Sequence, residues 1–179
     1  MPPTPTLRRR DGHTHTQFCP HGSREATEQF IKRAIALGFE SYSLTEHPPL
    51  PRDFIDPTPD QSCGMRHEDL EPYLLHAKGL KERYANRIDI RVGLEVDYIP
   101  GYESDVREML NTCGAQLDDA LLSVHFLEGK GGWRCVDLSP EEPMRGSWHF
   151  NFFIGFNDYE PIFHFQADSF LDREGQSSF

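Results

Sequence analysis

A chain of 179 residues with 37% hydrophobic and 26% charged positions, 14 Gly and 14 Pro is neither a collagen, a low-complexity polymer nor a membrane-embedded bundle. Its 18 Lys and Arg stand against 29 Asp and Glu, a net charge of −11, which argues against non-specific nucleic-acid binding because phosphate neutralisation needs many cations. A small phosphate ester stays open to it, provided bound metal cations reverse the local sign.

In chain order, Arg8-Arg9-Arg10 is followed by Asp11-Gly12-His13-Thr14-His15, where an export signal would need an apolar stretch. No signal peptide is expected, and no apolar run is long enough to span a bilayer. Residues 8–16 read as a first strand. Ser23 is placed to cap a helix that carries Ala26, Phe30, Ala34 and Leu37 at helical spacing, with Gly38 as its C-terminal cap. Residues 40–47 form a second strand that runs into Pro48-Pro49. The segment from Pro48 to Arg66 holds five prolines and is long for a connection, as functional loops often are. Leu70, Leu74, Ala77 and Leu80 mark a helix over 67–84. In residues 88–98, Ile88, Ile90, Val92, Leu94 and Val96 alternate with Asp89, Arg91, Gly93, Glu95 and Asp97, the period of a strand. Val106, Met109 and Leu110 belong to a third helix over 102–112. Alternation returns in 118–126, with Ala120, Leu122, Val124 and Phe126 on one face. Strands alternating with helices imply parallel pairing with right-handed crossovers, an α/β layer or barrel.

The order breaks near residue 143. Ser139-Pro140-Glu141-Glu142 is a good helix start, but Pro143 lacks the N–H the next turn needs. From Trp148 onward, 32 residues hold 8 of the 13 Phe with no sustained periodicity, so 1–142 is expected to be the α/β domain and 143–179 an irregular or poorly ordered tail. The four cysteines form no CxxC pair, which points to reduced thiols and a cytoplasmic protein.

Chemistry-bearing residues gather at the strand ends. His13 and His15 share one side of the first strand, His21 follows in Cys19-Pro20-His21-Gly22, and His47 ends the second strand. Glu95 and His125 lie near the ends of the third and fourth, opposite the apolar rows. With those rows packed outward on helices, the polar groups converge at the C-terminal mouth, where barrels build active sites. Each alone has a plain reading: an exposed His pair, a strand end before a Pro turn, a hydrogen-bonded core histidine, a solvated carboxylate. Together, imidazoles and a carboxylate suit divalent Zn, Mn or Fe. Asp97 reads as a solvated neighbour, His67 and His76 as surface residues, and Cys19 as an inert thiol. No GxSxG, P-loop or Rossmann fingerprint is present.

At these residues the chain resembles the PHP (polymerase and histidinol phosphatase) superfamily, most closely its monofunctional bacterial-type histidinol-phosphatase branch. The resemblance rests on Asp11-Gly12-His13-Thr14-His15-Thr16, Phe18-Cys19-Pro20-His21-Gly22, Leu44-Thr45-Glu46-His47, Gly93-Leu94-Glu95-Val96-Asp97-Tyr98 and Leu122-Ser123-Val124-His125-Phe126, and covers residues 8–142. It implies the N-terminal part of a distorted (β/α)7 barrel with up to three divalent transition metals. It further implies hydrolysis of L-histidinol phosphate to L-histidinol and phosphate in histidine biosynthesis. By the same resemblance His13 and His15 hold the first metal, Glu95 bridges to the second, His125 binds the second, and His21 with His47 the third. Glu95 and His125 then act in catalysis through a hydroxide held between metals. Family members continue into a Gly-His segment and an Asp-x-His pair that residues 143–179 do not match, which weakens the expected activity and implies a truncated or altered C-terminal part. Two other readings stand beside it: a PHP phosphoesterase or nuclease of different substrate, and a non-catalytic metal-binding module. Neither nucleic acid nor membrane is expected as a partner.

Overall fold

The computed structural model describes residues 8–20, 22–129, 131–136, 149–157 and 160–168. The chain divides into two units, Met1–Leu138 and Ser139–Phe179. In the first unit β1 (Arg10–Asp11), α1 (Thr27–Ala36), β2 (Ser41–Glu46), α2 (Leu70–Tyr84), β3 (Asp89–Asp97), α3 (Glu103–Cys113) and β4 (Asp119–Ser123) alternate as expected. The four strands pair in parallel in the order β1-β2-β3-β4 and curl into a half-barrel. Ser41 to Glu46 run in register with Asp89 to Leu94, and Glu95 and Asp97 face Leu121 and Ser123 across the next ladder.

The apolar row of β3 packs outward. Ile90, Val92, Leu94 and Val96 join Ile31 and Ala34 of α1 and Tyr73, Leu74, Ala77, Leu80 and Tyr84 of α2 in one buried cluster. Tyr73 is fully buried, and its hydroxyl lies 2.9 Å from the Leu44 carbonyl and 2.7 Å from that of Gly93, tying α2 to both central strands. The strands approach so closely there that a Cβ on Gly93 would stand 2.9 Å from the Asp119 carbonyl and 3.1 Å from Thr45 Cγ2. Gly38 ends α1 at φ +77°, with the Gly38 and Phe39 amides bonding back to Ile35 and Ala34, the paired bonds of a Schellman cap.

Several boundaries differ from the sequence reading. The first strand is two residues, not nine. Beyond Gly12 the Thr14 amide donates to the Thr45 hydroxyl at 3.1 Å, and only the Thr45 amide returns a backbone bond, to Thr14 at 2.8 Å, so the His13–His15 segment leaves the ladder. Ser23 accepts from the Glu25 amide instead of capping α1, and Gln17 Oε1 takes the Thr27 amide at 3.0 Å. The fourth strand stops at Ser123, and residues from Phe126 form an unforeseen antiparallel hairpin, β5 (Phe126–Gly129) with β6 (Gly132–Cys135). The break falls where the His125 amide turns to the Asp97 carboxylate at 3.3 Å. The long loop is ordered by Asp56, which accepts from the Thr58 amide and hydroxyl and the Cys63 amide. Phe54 from that loop packs on Phe126, Tyr102 and Trp133.

In the second unit β7 (His149–Asn157) and β8 (Glu160–Asp168) form an antiparallel pair, where irregular chain was expected. The alternation is present in the sequence: Phe150, Phe152, Ile154 and Phe156 stand in register with Ala167, Phe165, Phe163 and Pro161. Phe153 and Ile162 at intervening positions obscure it. The proposed helix start at 139–142 and its break at Pro143 lie outside the described residues.

Gly93→Ala is expected to lower stability by about 1–3 kcal/mol, since backbone cannot yield to the new methyl. Gly79→Ala, in the exposed middle of α2 with open space around it, should instead raise stability by about 0.5–1 kcal/mol. Urea denaturation of both variants beside the parent measures the contrast.

Candidate metal centre

Parallel strands carry their like ends together, and four of the sequence-nominated imidazoles meet there. The centre is Glu95, 2% exposed on β3. Its Oε2 lies 2.7 Å from His13 Nε2, 3.3 Å from His15 Nε2 and 3.4 Å from His47 Nε2. Its Oε1 accepts from the Ser123 hydroxyl at 2.7 Å and lies 3.5 Å from His125 Nε2. The rings of His15 and His47 stack at 4.7 Å, and His125 meets His47 edge-on at 5.3 Å. All four histidines stand just past the ends of β1, β2 and β4, where the chain is free of the ladder. His21 lies outside the described residues.

Among the described residues, donor atoms group in three overlapping sets within 4.8 Å: His13, His15 and Glu95; His47, Glu95 and His125; and His15, Cys19 and Glu46. Glu95 belongs to the first two and presents a different oxygen to His125 than to the other three rings, as a carboxylate bridging two cations would. Neutral imidazole nitrogens and carboxylate oxygens are the donor set of borderline divalent metals, so the residues present fit such ions.

Two further carboxylates were missed by sequence reasoning. Glu46, fully buried at the end of β2, lies 3.1 Å from His15 Nδ1 and accepts from the Thr16 amide, the Thr16 hydroxyl and the His47 amide. Asp97 is 5% exposed, not solvated, with Oδ1 2.8 Å from His125 Nδ1. The signal for Asp97 was available, since the period that turns Glu95 inward turns residue 97 inward as well. His67 is exposed as expected, but His76 is half-buried against Phe18, with ring centroids 5.7 Å apart.

The electrostatics follow from these contacts. The Glu46 hydrogen bond, then that of Glu95, raises the His15 pKa to about 9 against the opposing effect of burial. Burial alone would push Glu95 up, but hydrogen bonds from His15, Ser123 and His13 and the charge of His47 hold it well below the usual carboxylate range. Burial likewise works against Glu46, whose bonds to His15 and Thr16 keep it lowered. His47 is pushed down, chiefly by burial.

The chain matches the PHP domain over residues 11–153 and belongs to that family, as the motifs implied. It is 47% identical to the histidinol-phosphatase of Bacillus subtilis over 131 residues, which is 73% of this chain and 49% of that protein. A crystal structure from Listeria monocytogenes, of a provisionally assigned histidinol phosphatase, is similar at TM-score 0.71 and 44% identity, covering 74% of this chain and 51% of that one. Histidinol phosphate phosphatase from Lactococcus lactis, solved with Zn, L-histidinol and phosphate, is similar at TM-score 0.56 and 26% identity, covering 68% of this chain and 42% of that one. The chain thus spans about half the length of the first two of these relatives and less of the third. No helix among the described residues is long and apolar enough to cross a membrane.

With metal removed by chelator, the His15–Glu46 pair is expected to make stability pH-dependent. A folded pKa near 9 above the ordinary 6.5 means its contribution is complete below pH 6.5 and lost as pH rises through 9. Thermal melts across that window should show a falling midpoint in the parent chain and a flatter profile in Glu46→Gln.

Proposed function

We propose that the chain carries the metal-binding portion of a phosphomonoesterase that hydrolyses L-histidinol phosphate to L-histidinol and phosphate, a step of histidine biosynthesis. The observation that supports this most is the convergence of four Nε2 atoms on the two oxygens of Glu95, within 3.5 Å, in a PHP-family chain. His13, His15 and Glu95 would hold one divalent ion and Glu95 with His125 a second, while His47 would hold a third. His21 is the nominated further ligand, for a total of up to three ions of Zn, Mn or Fe. Such ions, when bound, supply Lewis-acid polarisation of the phosphoryl oxygens and activate water for attack.

The protein's own residues prepare that site. Glu95 stays ionised despite its burial and sets the spacing of the imidazoles around it. Ser123 fixes one carboxylate oxygen. The net charge of −11 would repel a phosphate ester, so the site must gather cations before substrate. Glu95 and His125 are the groups through which the centre acts on substrate. The α/β unit through residue 142 is the functional part in this reading, residues 143–179 lie outside it, and the protein works in the cytoplasm.

The test is phosphate release from histidinol phosphate and unrelated phosphomonoesters by the purified chain, before and after exhaustive chelation and after Zn, Mn or Fe is restored. Preference for histidinol phosphate with full dependence on metal is expected, and Glu95→Gln should cost at least about 10²-fold in rate, as losses of key electrostatic groups do. Activity that survives chelation overturns the metal reading. A preference for DNA ends would move the assignment to a nuclease, and metal uptake without turnover to a binding module.

A further inference from the structure

We propose that Asp97 and Glu46 are positioning residues of the metal centre, each holding Nδ1 of one imidazole so that Nε2 alone is presented beside Glu95. The proposal rests on the metal-binding reading above. An imidazole can ligate through either nitrogen, and its ring can rotate to offer either one. What decides is the partner of the other nitrogen.

The same arrangement occurs twice, on different strands. His125 has Nδ1 2.8 Å from Asp97 Oδ1 and Nε2 3.5 Å from Glu95 Oε1. His15 has Nδ1 3.1 Å from Glu46 Oε1 and Nε2 3.3 Å from Glu95 Oε2. In both, the ring spans from an outer carboxylate to the central one. The outer carboxylates are themselves fixed: Glu46 by the Thr16 amide and hydroxyl and the His47 amide, Asp97 by the His125 amide. At 0% and 5% exposure, water does not compete for either. A carboxylate accepting from Nδ1–H also strengthens the donor power of Nε2 and spares the ligand the entropy of ordering its ring on binding. His13 is the contrast. Its side chain is 49% exposed, with its Nε2 on the central carboxylate.

The experiment compares Zn affinity, by competition with a chromophoric chelator, among the 179-residue chain, Asp97→Ala, Asp97→Asn and Glu46→Gln. Asp97→Ala should weaken the Zn held through His125 about 10–100-fold, as loss of such outer carboxylates does. Asp97→Asn should recover part of that loss, because its side-chain oxygen still accepts from Nδ1–H, whereas a purely steric role predicts that Asn recovers it all. Nitrogen-15 shifts of the unsubstituted Zn-loaded chain supply a measure that survives any folding failure of the variants. They should show His15 and His125 protonated at Nδ1 and metal-bound at Nε2. Metal on Nδ1 of either ring, or unchanged Zn affinity in the folded variants, overturns the proposal and leaves the metal centre standing. No Zn uptake by the unsubstituted chain overturns both.

Discussion

A carboxylate buried on a central strand is the constraint around which this protein is arranged. Glu95 gives up water almost completely, and an ionised group so placed is costly unless charge and hydrogen bonds offset the loss. One hydroxyl and four imidazoles provide that compensation. Two more buried acids, Glu46 and Asp97, lie behind the imidazoles, so three carboxylates share a small volume. In the metal-free chain protons must moderate their repulsion, and the raised pKa of His15 is the trace of it. Divalent cations would do the same work at the positions the Nε2 atoms already face.

The remainder of the first unit makes such a polar interior tolerable. The outward face of β3 is closed by α1 and α2, so apolar burial is concentrated on one side of the sheet and leaves the other to the imidazoles and carboxylates. Tyr73 reaches through that layer, its hydroxyl at the Leu44 and Gly93 carbonyls and 3.4 Å from the Glu46 amide. One helix residue thus braces the stretch of β2 that carries Glu46. On the mouth side, Phe54 from the Pro-rich loop packs on Phe126, the residue after His125. The loop is therefore packed against the residue next to His125, and Asp56 keeps it in shape from within.

Much of this was legible from residue order. The alternation in 88–98 located β3, its inward face and Glu95. The placement of His13, His15, His47 and His125 at strand ends anticipated their convergence on Glu95. Less legible was whatever depends on side-chain bonds to the backbone. Nothing in the pattern reveals that Thr45 would take the Thr14 amide and shorten β1, or that Asp97 would take the His125 amide and end β4 early. Both are cases of a side chain displacing a ladder bond. Glu46 was hidden for another reason: it follows Thr45 and precedes His47 in a strand buried on both faces, so alternation carried no information there. In β7 and β8 the information existed but was blurred by apolar residues at the alternate positions.

The division of labour between strands and turns explains why register and chemistry are one problem here. The three acids sit within regular strands, Glu46 on β2 and Glu95 and Asp97 on β3, while the four imidazoles stand just beyond strand ends. A strand holds its side chains at fixed spacing, so it suits the anionic floor whose members must not drift together. A segment released from the ladder can lean inward, so it suits the rings that must reach a common point. The arrangement carries a penalty for error that a purely apolar barrel would not face. A one-residue slip of β3 would turn Glu95 and Asp97 outward into the layer of Ile31, Leu74 and Leu80, and would bring Leu94 and Val96 among the imidazoles. Each misplaced charge would then be buried without a partner, which disfavours the slipped pairing far more than mismatched apolar packing would. The residues that make up the candidate metal centre thereby also select the register that brings them together.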